Sequence, residues 1–165
     1  TWPIFASHPR TAERLEDVGL AARAAPAGDV RTERETYRKA MQPFLSAWLE
    51  AELSRRMYDT AIQVIGDLRA SADPASAGTY TFFLAEAYRR RNKNDDMAQA
   101  RKLYAEAVAL PDAPADAWRE QGMALRADGK RAEALAALRR YLELKPQAGD
   151  RAFTQKYISE LETTP

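Results

Sequence analysis

The sequence contains no cysteine and a single histidine, His8. Without cysteine there is no disulfide framework, no thiolate nucleophile and no thiolate-ligated metal, and the redox compartment cannot be read from cysteine usage. One histidine and no cysteine leave no three-ligand zinc site and no nucleophile-base pair to be assembled from histidines and thiolates, and no H-E-x-x-H helix. Glycine is scarce, at 7 of 165 residues, and the apolar-polar alternation of half-buried strands is rare. Charge of one sign is not in excess either: 25 Lys and Arg stand against 24 Asp and Glu, a net charge of +1. Such a balance lacks the basic stripe that neutralises a phosphate backbone, so no nucleic-acid partner is expected. No apolar run approaches the roughly 18 residues of a membrane span.

What the sequence does hold is helix-period patterning in a chain long enough for one cored domain. Its clearest stretch is Ala115 to Pro146. Trp118, Gly122 and Leu125 fall at i, i+4 and i+7, one stripe of a first helix. Gly129 ends that helix. A second helix from about Lys130 turns Ala134, Leu138 and Tyr141 inward, and Pro146 stops it because proline lacks an N–H and clashes with the preceding turn. The small residues Gly122 and Ala134 let the two backbones approach, with Trp118 and Leu138 filling the space beside them. Turn, small residues and terminal proline together match the 34-residue tetratricopeptide repeat in register. The expected fold is therefore all-α, a right-handed α-α superhelix of tetratricopeptide repeats with flanking helices.

Earlier pairs are more degenerate. Residues 1–9, with two prolines and no periodicity, read as an extended segment whose Trp2, Ile4 and Phe5 dock on a neighbouring surface. A short helix follows from Thr11 to Ala25 with Leu15, Val18 and Ala22 inward, closed by Pro26-Ala27-Gly28. Thr32 and Glu35 have the form of a capping box, so a helix is expected from about residue 33 to 41. Pro43 kinks it or opens a new helix running to about residue 55. Tyr37, Met41, Phe44, Leu45, Trp48 and Leu49 give this stretch a broad apolar face, and the helix containing Trp48 is expected to pair with the next, Asp59 to Ala70, whose inner stripe is Ala61, Ile62, Ile65 and Leu68. The following pair, Thr79 to Arg91 and about Asp95 to Leu110, sets Leu84, Ala85 and Tyr88 against Ala100, Tyr104 and Ala107. Ala100 and Ala134 stand 34 residues apart, the repeat length itself, while Ala61 and Ala100 stand 39 apart across a long turn. A final helix capped by Asp150 turns Ala152, Phe153, Tyr157, Ile158 and Leu161 to one face and shields the end of the array.

Candidate chemistry is thin. Carboxylate pairs such as Glu50 with Glu52 and Asp95 with Asp96 read as solvated helix surface, and acid/base work would need one desolvated member. Binding is the better expectation, since first helices of such an array line a concave wall that holds a peptide or another domain. Helical spacing places Phe82, Glu86, Arg89 and Arg90, and then Arg119, Met123 and Arg126, on that wall, a mixed groove with a basic bias. Guanidinium groups there would hold carboxylates bidentately, which suggests an acidic peptide or a chain terminus. The alternative is that Arg89 to Lys93 is a solvated helix end complementing the macrodipole.

The segment Ser7-His8-Pro9 with Arg14 resembles the S/T-H-P-x-x-x-x-R segment that follows the catalytic domain in bacterial zinc metallopeptidases of family M-48, the BepA-like group. Tyr58-Asp59-Thr60-Ala61-Ile62 and the repeats come after it in the same order. The resemblance implies that residues 1–30 are the tail of an upstream protease domain plus linker, and that 31–165 form its tetratricopeptide domain, about three helix pairs and a capping helix, in a Gram-negative periplasm. The opening at Thr1, with no charged and apolar leader, fits either a removed signal segment or, the preferred expectation, a piece excised from a longer protein. On the same resemblance His8 lies near the metal of the whole protein and zinc belongs to that parent. The zinc-binding helix has no counterpart in this chain, which is then expected to hold no metal or cofactor and to have no peptidase activity. Its partners would be a protein or peptide client and its own protease domain. The rival expectation is a stand-alone adaptor that binds a peptide or partner protein with no enzyme attached.

Overall fold

The computed structural model describes residues 11–24 and 34–163, and every regular element among them is helical. The chain divides into two units, Thr1–Tyr37 and Arg38–Pro165. In the first, helix α1 spans Thr11–Ala24. Val18, expected to face inward, is 66% exposed and Leu20 is exposed with it. Helical spacing alone supplies such a stripe; burying it takes a surface to pack against. The side chains of Leu15 and Ala22 lie outside the described residues, as do Trp2, Ile4, Phe5, His8, the Pro26-Ala27-Gly28 loop and Thr32.

Helix α2, Arg34–Met41, runs into a 3₁₀ turn, Gln42–Phe44, which carries Pro43 near its start. Proline is admitted there because the first residues of a helix have no intrahelical acceptor for their N–H groups. Then come α3 (Leu45–Ser54), α4 (Tyr58–Ala70), α5 (Ala77–Arg91), α6 (Asp96–Val108), α7 (Ala115–Ala127), α8 (Arg131–Leu144) and α9 (Arg151–Thr163). From α3 to α9, helices consecutive in the chain are neighbours in space, and α3 also meets α5. Short connections between amphipathic helices produce this arrangement, because each apolar stripe is buried soonest against the next.

Helix α5 is the centre of the unit. Residues Thr81 to Ala87 are buried without a break, as expected of a helix that meets α3, α4 and α6. Its Phe82, Phe83, Leu84, Ala85 and Ala87 join Leu49 and Leu53 of α3, Ala61 and Ile65 of α4, and Ala100, Leu103, Tyr104 and Ala107 of α6 in the main core. The N-terminal amides of α5 are satisfied from outside the helix: Asp112 accepts from Gly78 N at 2.7 Å and Thr79 N at 2.9 Å, a carboxylate at the positive end of the macrodipole. A second cluster joins Leu125 of α7 to Ala134 and Ala137 of α8, with Trp118 and Leu161 packed against it. Leu138 and Tyr141 are also fully buried.

The α7–α8 turn forms as its sequence suggests. Gly129 takes φ +72°, and the bonds Lys130 N to Leu125 O (2.9 Å) and Gly129 N to Arg126 O (3.1 Å) close a Schellman motif. Further inward assignments were wrong: Tyr37, Met41 and Phe44 are exposed. Trp48 is 45% exposed, and Leu49 and Leu53 are the fully buried residues of α3; the helix is rotated so that the smaller aliphatic pair, not the indole, fills the space against α4 and α5. On α9, Ala152 is exposed and Phe153 is 70% exposed, whereas Thr154 is buried and Tyr157, Ile158 and Leu161 are half-buried. Thr154, Tyr157 and Leu161 follow i, i+3, i+7, the stripe that faces inward.

Candidate functional site

The alternate helices α3, α5 and α7 line one cavity of about 380 Å³. From α3 come Ser46, Ala47 and Glu50; from α5, Phe82, Phe83, Glu86 and Arg90; from α7, Asp116 and Arg119. Within each helix most of these residues sit three, four, seven or eight apart, the separations that share a face. One register relates five of the nine. Measured from the buried residues Leu49, Ala85 and Gly122, the position three earlier is Ser46, Phe82 and Arg119, and the position one later is Glu50, Glu86 and Met123. Phe82 and Phe83 stand edge to face with ring centroids 5.1 Å apart, a packed apolar floor.

The polar wall on α5 is organised by Glu86, only 4% exposed. It accepts from Arg89 Nε (2.8 Å) and Nη2 (2.6 Å), from Arg90 Nε (3.3 Å), and from the Tyr104 hydroxyl (2.5 Å). Burial alone would raise the pKa of this carboxyl, but hydrogen bonds from Arg89 and Tyr104 and the charges of Arg89 and Arg90 outweigh it and hold it below its ordinary value. Burial, followed by the charge of Glu86, pushes the Tyr104 phenol up. Arg90 continues the network to α3, donating from Nη1 and Nη2 to the two oxygens of Glu50 at 2.9 and 2.7 Å. Tyr104, Glu86, Arg90 and Glu50 thus tie α6, α5 and α3 together through fork-to-carboxylate bonds.

On α7, Arg119 is surrounded by carboxylates. Its Nε and Nη2 donate to one oxygen of Glu120 (2.9 and 2.7 Å), its Nη1 donates to Asp150 (2.9 Å) and approaches Asp116 at 3.4 Å. The guanidinium also lies over the Tyr141 ring, 5.6 Å from its centroid, and the Tyr141 hydroxyl donates to Asp150 at 2.6 Å. Burial and the Asp150 carboxylate push this phenol up to about 12. Asp150, expected to cap α9 with its side chain, therefore spends its carboxylate on α7 and α8.

Of the seven residues expected on the binding wall, Phe82, Glu86, Arg90 and Arg119 line the cavity. Arg89 is held by Glu86 instead, and Arg126 binds Glu160 Oε2 at 2.9 Å with its guanidinium 4.5 Å from the Tyr157 ring centroid, which fastens α7 to α9. Met123 is half-buried and does not line the cavity. Sequence reasoning missed Ser46, Ala47 and Glu50 on α3, and Phe83 and Asp116. The α3 residues would have been found by registering that helix on Leu49 rather than on Trp48. The expected basic bias is reversed at the cavity itself, where Glu50, Glu86 and Asp116 outnumber Arg90 and Arg119 by one charge.

Among the residues read as packing positions, Ala61, Ala100, Tyr104, Gly122, Ala134 and Leu138 are buried, while Tyr88 and Trp118 are half-buried against the two clusters. Pro146 lies exposed just beyond α8. Asp96, read as solvated surface, is 5% exposed: it accepts from Arg91 Nε and Nη2 (2.9 and 2.7 Å) and from Lys93 N (2.8 Å). These bonds, Arg91 first, hold its carboxyl at about 2 even though burial opposes them. Among the described residues no group of three or more His, Cys, Asp or Glu is placed to hold a metal ion, and no helix is long and apolar enough to cross a membrane. No family model and no curated protein matches the chain.

Proposed function

We propose that this chain is a protein-binding module: a tetratricopeptide superhelix whose first helices hold an extended segment of a client. The observation that carries the reading is the convergence of α3, α5 and α7 on one cavity while their partners α4, α6 and α8 pack against them, since stacked helix pairs leave one helix of each pair free to form a concave wall. The 34-residue step between the buried alanines Ala100 and Ala134 supports the same repeat architecture. In the fuller form of the proposal the module is the C-terminal domain of a periplasmic BepA-like zinc metallopeptidase, in which it recruits envelope-protein clients or regulates access to the protease domain. Ser7-His8-Pro9 and Arg14 motivate that form.

The test is zinc-dependent casein cleavage by the full-length protein, with and without residues 31–165, beside a metal assay. Cleavage that depends on zinc and changes on deletion supports the metallopeptidase form. A protein with neither metal nor cleavage leaves the stand-alone adaptor, whose groove would be the same one, since all nine lining residues belong to the unit Arg38–Pro165.

A further inference from the structure

Resting on the reading of the cavity as a client-binding groove, we infer that its occupant is a cationic segment, a Lys or Arg side chain flanked by apolar residues. The guanidiniums of the cavity are already engaged. Arg90 is bound through both Nη atoms to Glu50 and through Nε to Glu86, and Arg119 has Glu120, Asp150 and Asp116 around it. An acidic peptide would have to break these charge-assisted bonds and would then face Glu50, Glu86 and Asp116 directly.

A cation meets the opposite situation. The lining carries one more carboxylate than guanidinium. Glu50 is about half exposed and accepts a single bond on each oxygen from Arg90, which leaves lone pairs on both, because a carboxylate offers about four acceptor sites. Asp116 is paired with Lys145 Nζ at 3.0 Å and with Arg119 at 3.4 Å, and Lys145 is half exposed, a long side chain that an incoming cation can displace. The same lining includes Ala47, Phe82 and Phe83, apolar surface for the stem of a lysine and its neighbour. A space of about 380 Å³ is at the small end of ligand sites and suits one or two side chains rather than a folded domain.

The test uses the full chain, isotope-labelled, titrated with three nonapeptides of identical Gly, Ser and Leu sequence whose central residue is Lys, Ala or Glu. The expected result is that the Lys peptide shifts the amide resonances of residues 46–50, 82–90 and 116–119, binds about tenfold more tightly than the Glu peptide at low salt, and loses that advantage in Glu50→Gln. Circular dichroism of Glu50→Gln verifies that it keeps its helicity. Preference for Glu, or equal binding of all three peptides at these residues, overturns the cationic occupant and leaves peptide binding by the groove intact. Absence of any shift at these residues with all three peptides overturns both.

Discussion

Replacing Gly122 by Ala would set a methyl carbon 2.8 Å from both Cγ and Cδ2 of Leu138 and 3.3 Å from its amide nitrogen. Leu138 is fully buried, so its side chain has nowhere to retreat without displacing α8. Overpacking of this kind costs about 1–3 kcal/mol, against which Ala in a helix interior gains about 1 kcal/mol over Gly. The single variant should therefore be neutral to about 2 kcal/mol less stable. The decisive quantity is the same substitution made in a Leu138→Ala background. Removing Cγ and both Cδ atoms costs about 2–5 kcal/mol by itself, but it also deletes the two closest atoms, so Gly122→Ala should there be stabilising by about 1 kcal/mol. The cycle then yields a coupling of about 1–3 kcal/mol. Urea unfolding followed by far-ultraviolet circular dichroism measures it, with Tm moving about 2–4 °C per kcal/mol in a chain of this size. Equal effects of Gly122→Ala in both backgrounds would refute the close helix contact as the reason for glycine.

Three further outcomes follow from the packing and the charges. Leu49→Ala should cost about 2–5 kcal/mol, and Trp48→Ala much less, because Leu49 is wholly buried and Trp48 is not; the reverse order in thermal melts would restore Trp48 as the packing residue. Tyr104→Phe removes a bond to a buried carboxylate and should cost about 1.5–3 kcal/mol. Combined with Glu86→Gln it should cost less than the sum of the two, since both act on one network; strict additivity in chemical denaturation would dissolve that network. Asp96 has its folded pKa at about 2, below the ordinary 3.8, so its stabilisation is present above pH 3.8 and is lost as the pH falls towards 2. Between pH 4 and 2 the Tm of the parent should fall more steeply than that of Asp96→Asn, and parallel curves would deny Asp96 its role.

Much of the fold was legible because its signals are local. Gly129 and Pro146 mark real ends, and the apolar stripes of α5 through α8 lie where helical spacing puts them, since a 3.6-residue period and a chain break act within a few residues. Trp48 and Phe153 misled for a reason in the same physics: size and apolarity raise the expectation of burial, but the rotation of a helix about its axis is set by the surface it packs on. Registering α3 on Leu49 and α9 on Thr154 requires that surface. The candidate site was half legible for the same reason, with α5 and α7 correctly faced in part and α3 left out.

The sequence by itself determined that the described chain is helical, where its helices pause, and that it carries no cysteine and one histidine. Only the tertiary structure decided which charges remain available. Arg90 finds Glu50 across 40 residues and Arg119 finds Asp150 across 31, and these distant pairings turn a run of arginines into a neutralised wall with a surplus carboxylate. A guanidinium's partner depends on which side chains the packed backbones bring within hydrogen-bond reach, and that proximity has no local signature in the chain.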